Sequence, residues 1–434
     1  MVTASLGMPS ADGVVADSWS EALLASLAAE EQVAPRDADG PLAAVRRRGR
    51  EGLLSRPLPS RREEAWRFTD LSALAAVPPA RLPAAIHPAP DWPAPAAGTL
   101  RLRLDAGVDP LAGVRLPEGL ASLSKTDLEQ ALGQTLAATG CREHWPVCLN
   151  KVTAPRVLAL RVRGAIAPVL ELVSDAGDSR GVSSLRVLLL LDPGASLELL
   201  QVHRAAGASL TNVVVEARLG AGARLQQTLL SRGAEASVLL GHLAVSQDPG
   251  STYSLATVSA GWGLSRLEPR VVQSSGGATT RLRGLQHVGG RRVADTHSQV
   301  LFAGPEGRLD QLHKVVADGV GRSVFNGAVR VPRAAQGTDA AQLSRSLLLS
   351  DRARVDTKPE LEIVADDVRC AHGATVSRLR QDELFYLQSR GIGVDVAARL
   401  LLRGYCEEIL RELPAAAALW QPLATVLGPE VPSR

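Results

Sequence analysis

The stretch Pro193-Gly-Ala-Ser-Leu197 decides the fold, because turns like it recur at a nearly constant interval along the chain. Counted from Gly194, the steps between successive Gly or Pro breakers are 28, 28, 27, 27, 28 and 27 residues. A fixed period of roughly 20–50 residues is typical of repeat architectures. The positions that mark the period are Gly194, Gly222, Gly250, Gly277, Gly304, Pro332 and Pro359.

Short runs of Val and Leu, such as Leu185–Leu191 and Val213–Leu219, lie between these turns. Each period leaves room for two strands and two turns, so that coils can stack about 4.8 Å apart. Apolar residues make up 45% of the chain but aromatic residues only 3%, which suits an interior of stacked aliphatic rows. We therefore predict a mainly β fold, a parallel β-helix with coils of 27–28 residues. A β-sandwich is the alternative, although its strands need not keep a constant period.

Helical and irregular segments flank this core and divide the chain into three predicted regions. Residues 1–96 form a mostly helical region that ends in a Pro-rich linker, residues 97–377 form the β-helix with regular coils from about 155, and residues 378–434 form a helical domain. In the last region we predict a helix over Gln381–Arg390 and a second helix, capped by Asp395, through Leu413. Since open solenoid ends need caps, we expect these helices to dock on the end of the solenoid; docking of a partner is the alternative.

Composition and missing motifs exclude several classes of function. The 48 basic and 45 acidic residues nearly balance, which gives no support for a nucleic-acid or membrane-surface partner. Four cysteines in 434 residues are no disulfide framework, and no apolar run is long enough to span a bilayer. The sequence contains no P-loop, no G-x-S-x-G, no H-E-x-x-H and no Cys-x-x-Cys. With no secretory signal, we expect a soluble protein of a reducing, cytoplasmic compartment. Without a P-loop, we expect no ATP hydrolysis by that route.

Two groups of residues could bind metal or sulfur. Cys370 and His372 lie two positions apart, so on a strand both side chains share one face, about 6.6 Å apart. A thiolate and a neutral imidazole are ligands of iron–sulfur centres, but a cluster that needs four ligands requires two from elsewhere. Spacing alone favours a core cysteine and an ordinary histidine. The second group is Cys141, His144 and Cys148, whose spacing matches no standard ligand pattern, so we interpret its cysteines as buried and structural.

Cys406, in the last helix, is interpreted as a packing residue. Four further histidines in the strand region are assigned no role: His242, His287, His297 and His313.

A series of motifs follows Phe325 over some seventy residues, and one further element lies upstream. The motifs are Phe325-Asn-Gly-Ala-Val-Arg-Val331, Ala335–Gln342, Ser346–Ser350, Pro359–Ile363, Ala365-Asp-Asp-Val-Arg-Cys-Ala-His-Gly-Ala-Thr-Val376, Leu384–Ile392 and, upstream, Arg61-Arg-Glu-Glu-Ala-Trp-Arg-Phe-Thr-Asp-Leu71. With these motifs the chain resembles the SufB/SufD family of iron–sulfur cluster scaffold subunits, and the upstream element is typical of the SufD branch.

The resemblance implies a right-handed β-helix flanked by helical domains and a scaffold role without enzymatic activity. It implies pairing with SufB through the last β-helix strands, and docking of the ATPase SufC on the helical region at roughly 380–415. It places Cys370 and His372 at the SufB junction as shared ligands of a transient cluster, with no cofactor stably bound. Two alternatives stay open, a SufB-type paralogue and a stand-alone β-solenoid enzyme, and the isolated chain could pair with itself along the same edge.

Overall fold

A computed structural model describes residues 11–33, 40, 42–83, 92–105, 109–166 and 169–428. Part of the predicted Pro-rich linker, residues 84–91, lies outside the described residues. The helices are α1 (Ala11–Val33), α2 (Ala43–Ser55), α3 (Lys125–Ala131), α4 (Gln134–Ala138), α5 (Trp145–Thr153), α6 (Gln381–Ser389), α7 (Val394–Leu410), α8 (Ala415–Ala418) and α9 (Pro422–Leu427). Over these ranges, no helix has the length and apolar content that a membrane crossing requires.

The strands account for most of the chain between residues 100 and 378. They are β1 (Leu100–Arg103), β2 (Leu120–Ser122), β3 (Leu158–Val162), β4 (Leu170–Asp175), β5 (Gly181–Leu191), β6 (Ser196–Arg204), β7 (Ser209–Leu219), β8 (Arg224–Arg232), β9 (Val238–Gln247), β10 (Thr252–Ala260), β11 (Leu264–Gln273), β12 (Thr279–Val288), β13 (Val293–Phe302), β14 (Arg308–Ala317), β15 (Arg322–Val331), β16 (Thr338–Leu348), β17 (Arg354–Ile363) and β18 (Val368–Arg378).

These strands form a β-solenoid with two strands in each coil. One nine-stranded sheet holds β1 and then the even-numbered strands from β4 to β18, and the other runs from β2 through the odd-numbered strands to β17. Every described pair is parallel except β2 with β3. The predicted parallel β-solenoid is confirmed. The predicted coil length of 27–28 residues is correct for middle coils, where Ser196 pairs with Arg224, but wrong for the last ones: Arg308 pairs with Asp339, 31 residues on, and Arg322 with Arg354, 32 residues on. The last period marker, Pro359, lies within β17 and not in a turn. The structure also places α3, α4 and α5 between β2 and β3, a stretch for which no helix was predicted.

The turns explain why the period is visible in the sequence. Gly194, Gly222 and Gly250 have φ of 72°, 68° and 69°, a left-handed conformation that glycine adopts without steric cost. Because each coil closes in the same way, equivalent residues stack in register, as Leu197, Leu225 and Tyr253 do. The interior is therefore a set of aliphatic rows, where each fully buried Leu or Val contributes roughly 1.5–3 kcal/mol.

The amino-terminal helices cover the outer face of the odd-numbered sheet. Trp19, Leu23 and Trp145 pack with strand residues such as Leu210 and Leu240 in one buried cluster. We call this surface, from β5 to β13, the covered flank. Its outward-facing side chains are buried although they do not belong to the solenoid interior.

The carboxy-terminal helices pack against the side of the solenoid. Cys406 and Ile409 of α7 and Val426 of α9 cluster with Val258 and Leu285, on the outer face of the even-numbered sheet. The expectation that they cap the solenoid end is wrong, because their apolar stripe matches an apolar outer sheet face along the side. The predicted cap is also wrong: α7 begins after Gly393 without a side-chain cap, so that Asp395 lies in its first turn, and α7 ends at Leu410.

Candidate functional site

The last coil, β17 and β18, is left without a covering layer, and we call it the open end. Among the described strands, β17 pairs only with β15 and β18 only with β16, so that each exposes one backbone edge. All but three residues of β18 are exposed and those three are half-buried, whereas β7 is buried at every position but one. An unpaired edge of this length is a template for pairing with another chain.

Cys370 and His372 both lie on β18. In the register of the sheet Cys370 is opposite Ala340 and His372 is opposite Gln342, and both partners are buried residues of β16. Residues at alternate positions of a strand share one face. The two side chains therefore extend the inward-facing rows of the solenoid to its last coil, and the predicted shared face is observed.

A file of polar side chains continues inward from the position of His372. Gln342 Nε2 donates to Gln311 Oε1 at 2.9 Å, and Gln311 Nε2 donates to Ser298 at 2.8 Å. All three are buried within an otherwise aliphatic interior. A buried amide that is hydrogen-bonded to its neighbours is stable there, and the file gives the open end a polar lining beside His372.

The two ligand candidates differ in their surroundings. His372 is exposed, whereas Cys370 is half-buried and packs against the aliphatic core. Partial burial, and then the charge of Asp339, raise the pKa of the Cys370 thiol above its ordinary value. The thiol is therefore protonated at neutral pH in this chain alone. A thiol becomes a ligand when a metal or a positive neighbour displaces its proton.

Exposed apolar residues surround this coil and the helix that follows it. Ile363, Val364 and Val376 are 41%, 53% and 50% exposed at the ends of β17 and β18. On α6, Phe385 and Tyr386 are 72% and 58% exposed. Large exposed apolar side chains such as these are candidates for protein–protein contact.

Polar contacts fix the position of α7 next to α6. Lys314 Nζ donates to Glu408 at 2.5 Å and Arg283 Nε donates to Glu412 at 3.0 Å. Both basic residues come from the even-numbered sheet and are buried. The carboxy-terminal helices are thus anchored on the side of the solenoid, while α6 has no buried residue of its own.

The other three cysteines are buried, in agreement with their interpretation as structural residues. Burial raises the pKa of the Cys141 thiol to about 11 and that of Cys406 to about 12. Cys148 is also fully buried, with a raised pKa. His144 does not join Cys141 and Cys148 in one group: its ring lies beside His242 and Glu268 instead.

The upstream motif Arg61–Leu71 holds the amino-terminal region on the covered flank. The Arg266 guanidinium lies 3.8 Å from the centre of the Trp66 ring and donates to the Ala65 carbonyl at 2.9 Å. The Thr69 hydroxyl donates to the buried Asp295 carboxylate. Sequence reasoning found the motif by resemblance; the structure shows that its residues pack against the solenoid.

Comparison with known proteins identifies relatives over most of the chain. Residues 173–405 match the family described as "SUF system FeS cluster assembly, SufBD core domain". An iron–sulfur cluster assembly SufBD family protein of Synechocystis sp. is 32% identical over 90% of this chain and 92% of its own length. The chloroplastic protein ABCI7 of Arabidopsis thaliana is 32% identical over 86% of this chain and 83% of its own. The iron–sulfur cluster assembly protein SufD of Escherichia coli is 42% identical over a shorter stretch, 27% of each chain.

Proposed function

Since this chain belongs to the SufBD family of iron–sulfur cluster assembly proteins, we propose that it is a SufD-type scaffold subunit, non-enzymatic by itself, that acts with SufB and the ATPase SufC. The observation that carries the proposal is the Cys370/His372 pair on an unpaired edge strand at the open end. A pair of ligands at such an edge is half of a site that a second chain completes.

The open end supports pairing with SufB. A partner solenoid that adds its own last strands to β17 and β18 satisfies their free backbone groups and continues both sheets across the junction. It also covers the exposed apolar side chains Ile363, Val364 and Val376. A second copy of this chain offers the same edge, so that a homodimer is the state expected when no SufB is present.

The chemistry of the pair fits a transient cluster. Cys370 offers one thiolate and His372 one imidazole, and both face into the junction. A cluster held by four protein ligands takes the remaining two from the partner. Because the Cys370 thiol has a raised pKa, it is a ligand only once a metal has displaced its proton. We infer that the cluster is cargo that the scaffold hands on.

A second surface, on α6 and the start of α7, supports docking of SufC. Phe385 and Tyr386 form its apolar centre, and Val394, Val396 and Leu400 of α7 are also exposed. The sequence has no phosphate-binding loop of its own, so ATP hydrolysis belongs to a partner. We place the complex in the cytoplasm.

The SufB-type paralogue and the solenoid enzyme are the competing functions. SufB-type chains carry cysteines within the β-helix, whereas residues 149–369 contain none here. A solenoid enzyme acting on polysaccharide needs a pair of carboxylates on one face of successive coils. The buried acids Glu216, Glu268 and Asp295 are instead each paired with arginine.

Co-expression with SufB and SufC, followed by co-purification, tests the proposal. The wild-type chain should co-purify with both partners. Val376→Asp places a charge on the open end and should abolish co-purification of SufB, and Phe385→Asp should abolish that of SufC. Leu54→Asp is the matched control, because Leu54 is 69% exposed on α2. Co-purification of neither partner with the wild-type chain would contradict the proposal.

A further inference from the structure

Three potential metal ligands meet on the covered flank, far from the open end in the sequence. His144 Nδ1 lies 3.3 Å from His242 Nε2, and each of these nitrogens lies 3.4 Å from Glu268 Oε2. The three atoms thus form a nearly equilateral triangle. Among the described residues, no other group of His, Cys, Asp and Glu brings three such atoms together.

The fold itself places these residues together. His242 on β9 and Glu268 on β11 are direct partners in the sheet register and face outward. His144 immediately precedes α5 and brings its ring down onto the two strands. The ligands therefore join the inserted helices α4 and α5 to the solenoid.

The spacing fits a tetrahedral ion. With metal–ligand bonds of about 2.05 Å, a tetrahedral site puts its ligands about 3.35 Å apart, whereas an octahedral site of the same bond length puts them about 2.9 Å apart. The observed 3.3–3.4 Å agrees with the tetrahedral value. Two imidazoles bound to such an ion place their ring centres about 5.3 Å apart, and the His144 and His242 rings are 5.5 Å apart at 81°.

Hydrogen bonding explains the triangle less well. Its three edges are all longer than the usual 2.7–3.2 Å, about 2.9 Å being most common. Nδ1 of His242 has no hydrogen-bond partner among the described residues, and a His242 ring with its proton on Nδ1 presents the Nε2 lone pair to a cation.

The charges suit a metal ligand set. Arg266 Nε donates to Glu268 Oε1 at 2.8 Å, an ion pair that the buried carboxylate makes in its ionised form. The imidazoles of His144 and His242 bind a metal in their neutral form. Arg270 donates to Glu268 Oε2 at 2.8 Å and occupies one of its lone pairs; a carboxylate oxygen retains another for a metal, and such outer hydrogen bonds orient ligating carboxylates.

We propose that His144, His242 and Glu268 form a binding site for a tetrahedral divalent transition metal of the Zn²⁺ type. A water completes the coordination on the side of His144, whose side chain is 32% exposed. The bound ion clamps the segment before α5 onto the solenoid. The site is independent of Cys370 and His372.

Metal titration of the full-length chain tests the site. The starting protein carries Cys370→Ser and His372→Ala, so that the open end contributes no ligands, and is first stripped with a chelator. We expect one Zn²⁺ per chain, a rise in melting temperature on binding, and one Co²⁺ whose strong visible absorption is typical of tetrahedral coordination. His144→Ala should weaken Zn²⁺ binding by roughly 100-fold or more.

His287→Ala in the same background is the matched control and should bind Zn²⁺ like its parent. Because the His144 side chain is partly exposed and makes no cap hydrogen bond to α5, His144→Ala should melt at the parental temperature in chelator, which separates loss of binding from loss of folding. Absence of a saturable single site, an octahedral Co²⁺ spectrum, or equal affinity of His144→Ala and parent would each overturn the proposal.

Discussion

The covered flank, from β5 to β13, and the open end, β17 and β18, belong to the same solenoid, yet their charged and ligating groups have opposite environments. On the covered flank, Arg266 bridges Glu268 at 2.8 Å and Asp295 at 2.7 Å, all three almost fully buried, and Trp66 packs over the guanidinium. At the open end, His372 is exposed and the β18 edge has no pairing partner within the described residues. The difference lies in what covers the strand: the chain's own helices cover the flank, so the open end is the surface left for another chain.

The largest expected effect comes from breaking the buried network. Arg266→Met leaves Glu268 and Asp295 without their shared partner, and removing one member of a buried ion-paired group costs about 3–5 kcal/mol. Arg330→Met is the matched control at the open end, since its pair with Glu362 is 53% and 69% exposed; it should cost less than about 0.5 kcal/mol. Urea unfolding of both variants measures the difference. Similar losses of unfolding free energy in the two variants would contradict the distinction between the two regions.

Truncating an aliphatic residue in the buried interior and another at the open end tests the same difference between the two regions. Leu189→Ala opens a cavity in the fully buried interior and should lower the free energy of unfolding by about 2–5 kcal/mol. Ile363→Ala, at a side chain that is 41% exposed, should cost well under half of that in the isolated chain. Thermal unfolding of the two variants provides the measurement. A large loss for Ile363→Ala would mean that this coil is packed within the monomer.

The pH dependence of Cys370 labelling is a smaller effect. Because the folded-state pKa of this thiol is raised, its reactive thiolate is scarce at neutral pH and accumulates only above pH 9. Alkylation of the native chain should therefore be slow at neutral pH and accelerate about tenfold per pH unit toward that range. Mass spectrometry of alkylated peptides measures the rate of Cys370 labelling, with buried Cys141 as the internal control that stays unlabelled. A labelling rate that levels off near pH 7 would contradict the assigned environment.

The solenoid could be predicted from sequence because its constraint is local and repeated: many of its turns contain a left-handed residue, and glycines such as Gly194 and Gly222 supply it. The shared face of Cys370 and His372 followed from strand alternation alone. The short helices α3 and α4 were missed because seven and five residues carry no readable periodicity. The side on which α7 docks depends on which outer sheet face is apolar. Identifying that face from sequence requires the register of many strands.

The triangle of His144, His242 and Glu268 could not be found by motif search. His144 is 98 residues from His242, and only the folded helix insertion brings the two rings together. One signal was available: His242 and Glu268 are 26 residues apart, close to one coil, so a search for ligands one period apart finds that pair. Residues outside the repeat, such as His144, remain beyond that method.

Cluster formation by a His372 variant tests the central claim most directly. The chain would be co-expressed with SufB and SufC, purified without oxygen and assayed for iron and sulfide, with His287→Ala as the matched control. The proposed shared site predicts that His372→Ala assembles the same three-protein complex but carries much less iron and sulfide, while the control equals wild type. Equal iron and sulfide in His372→Ala and wild type would contradict the claim that the open end supplies half of the site.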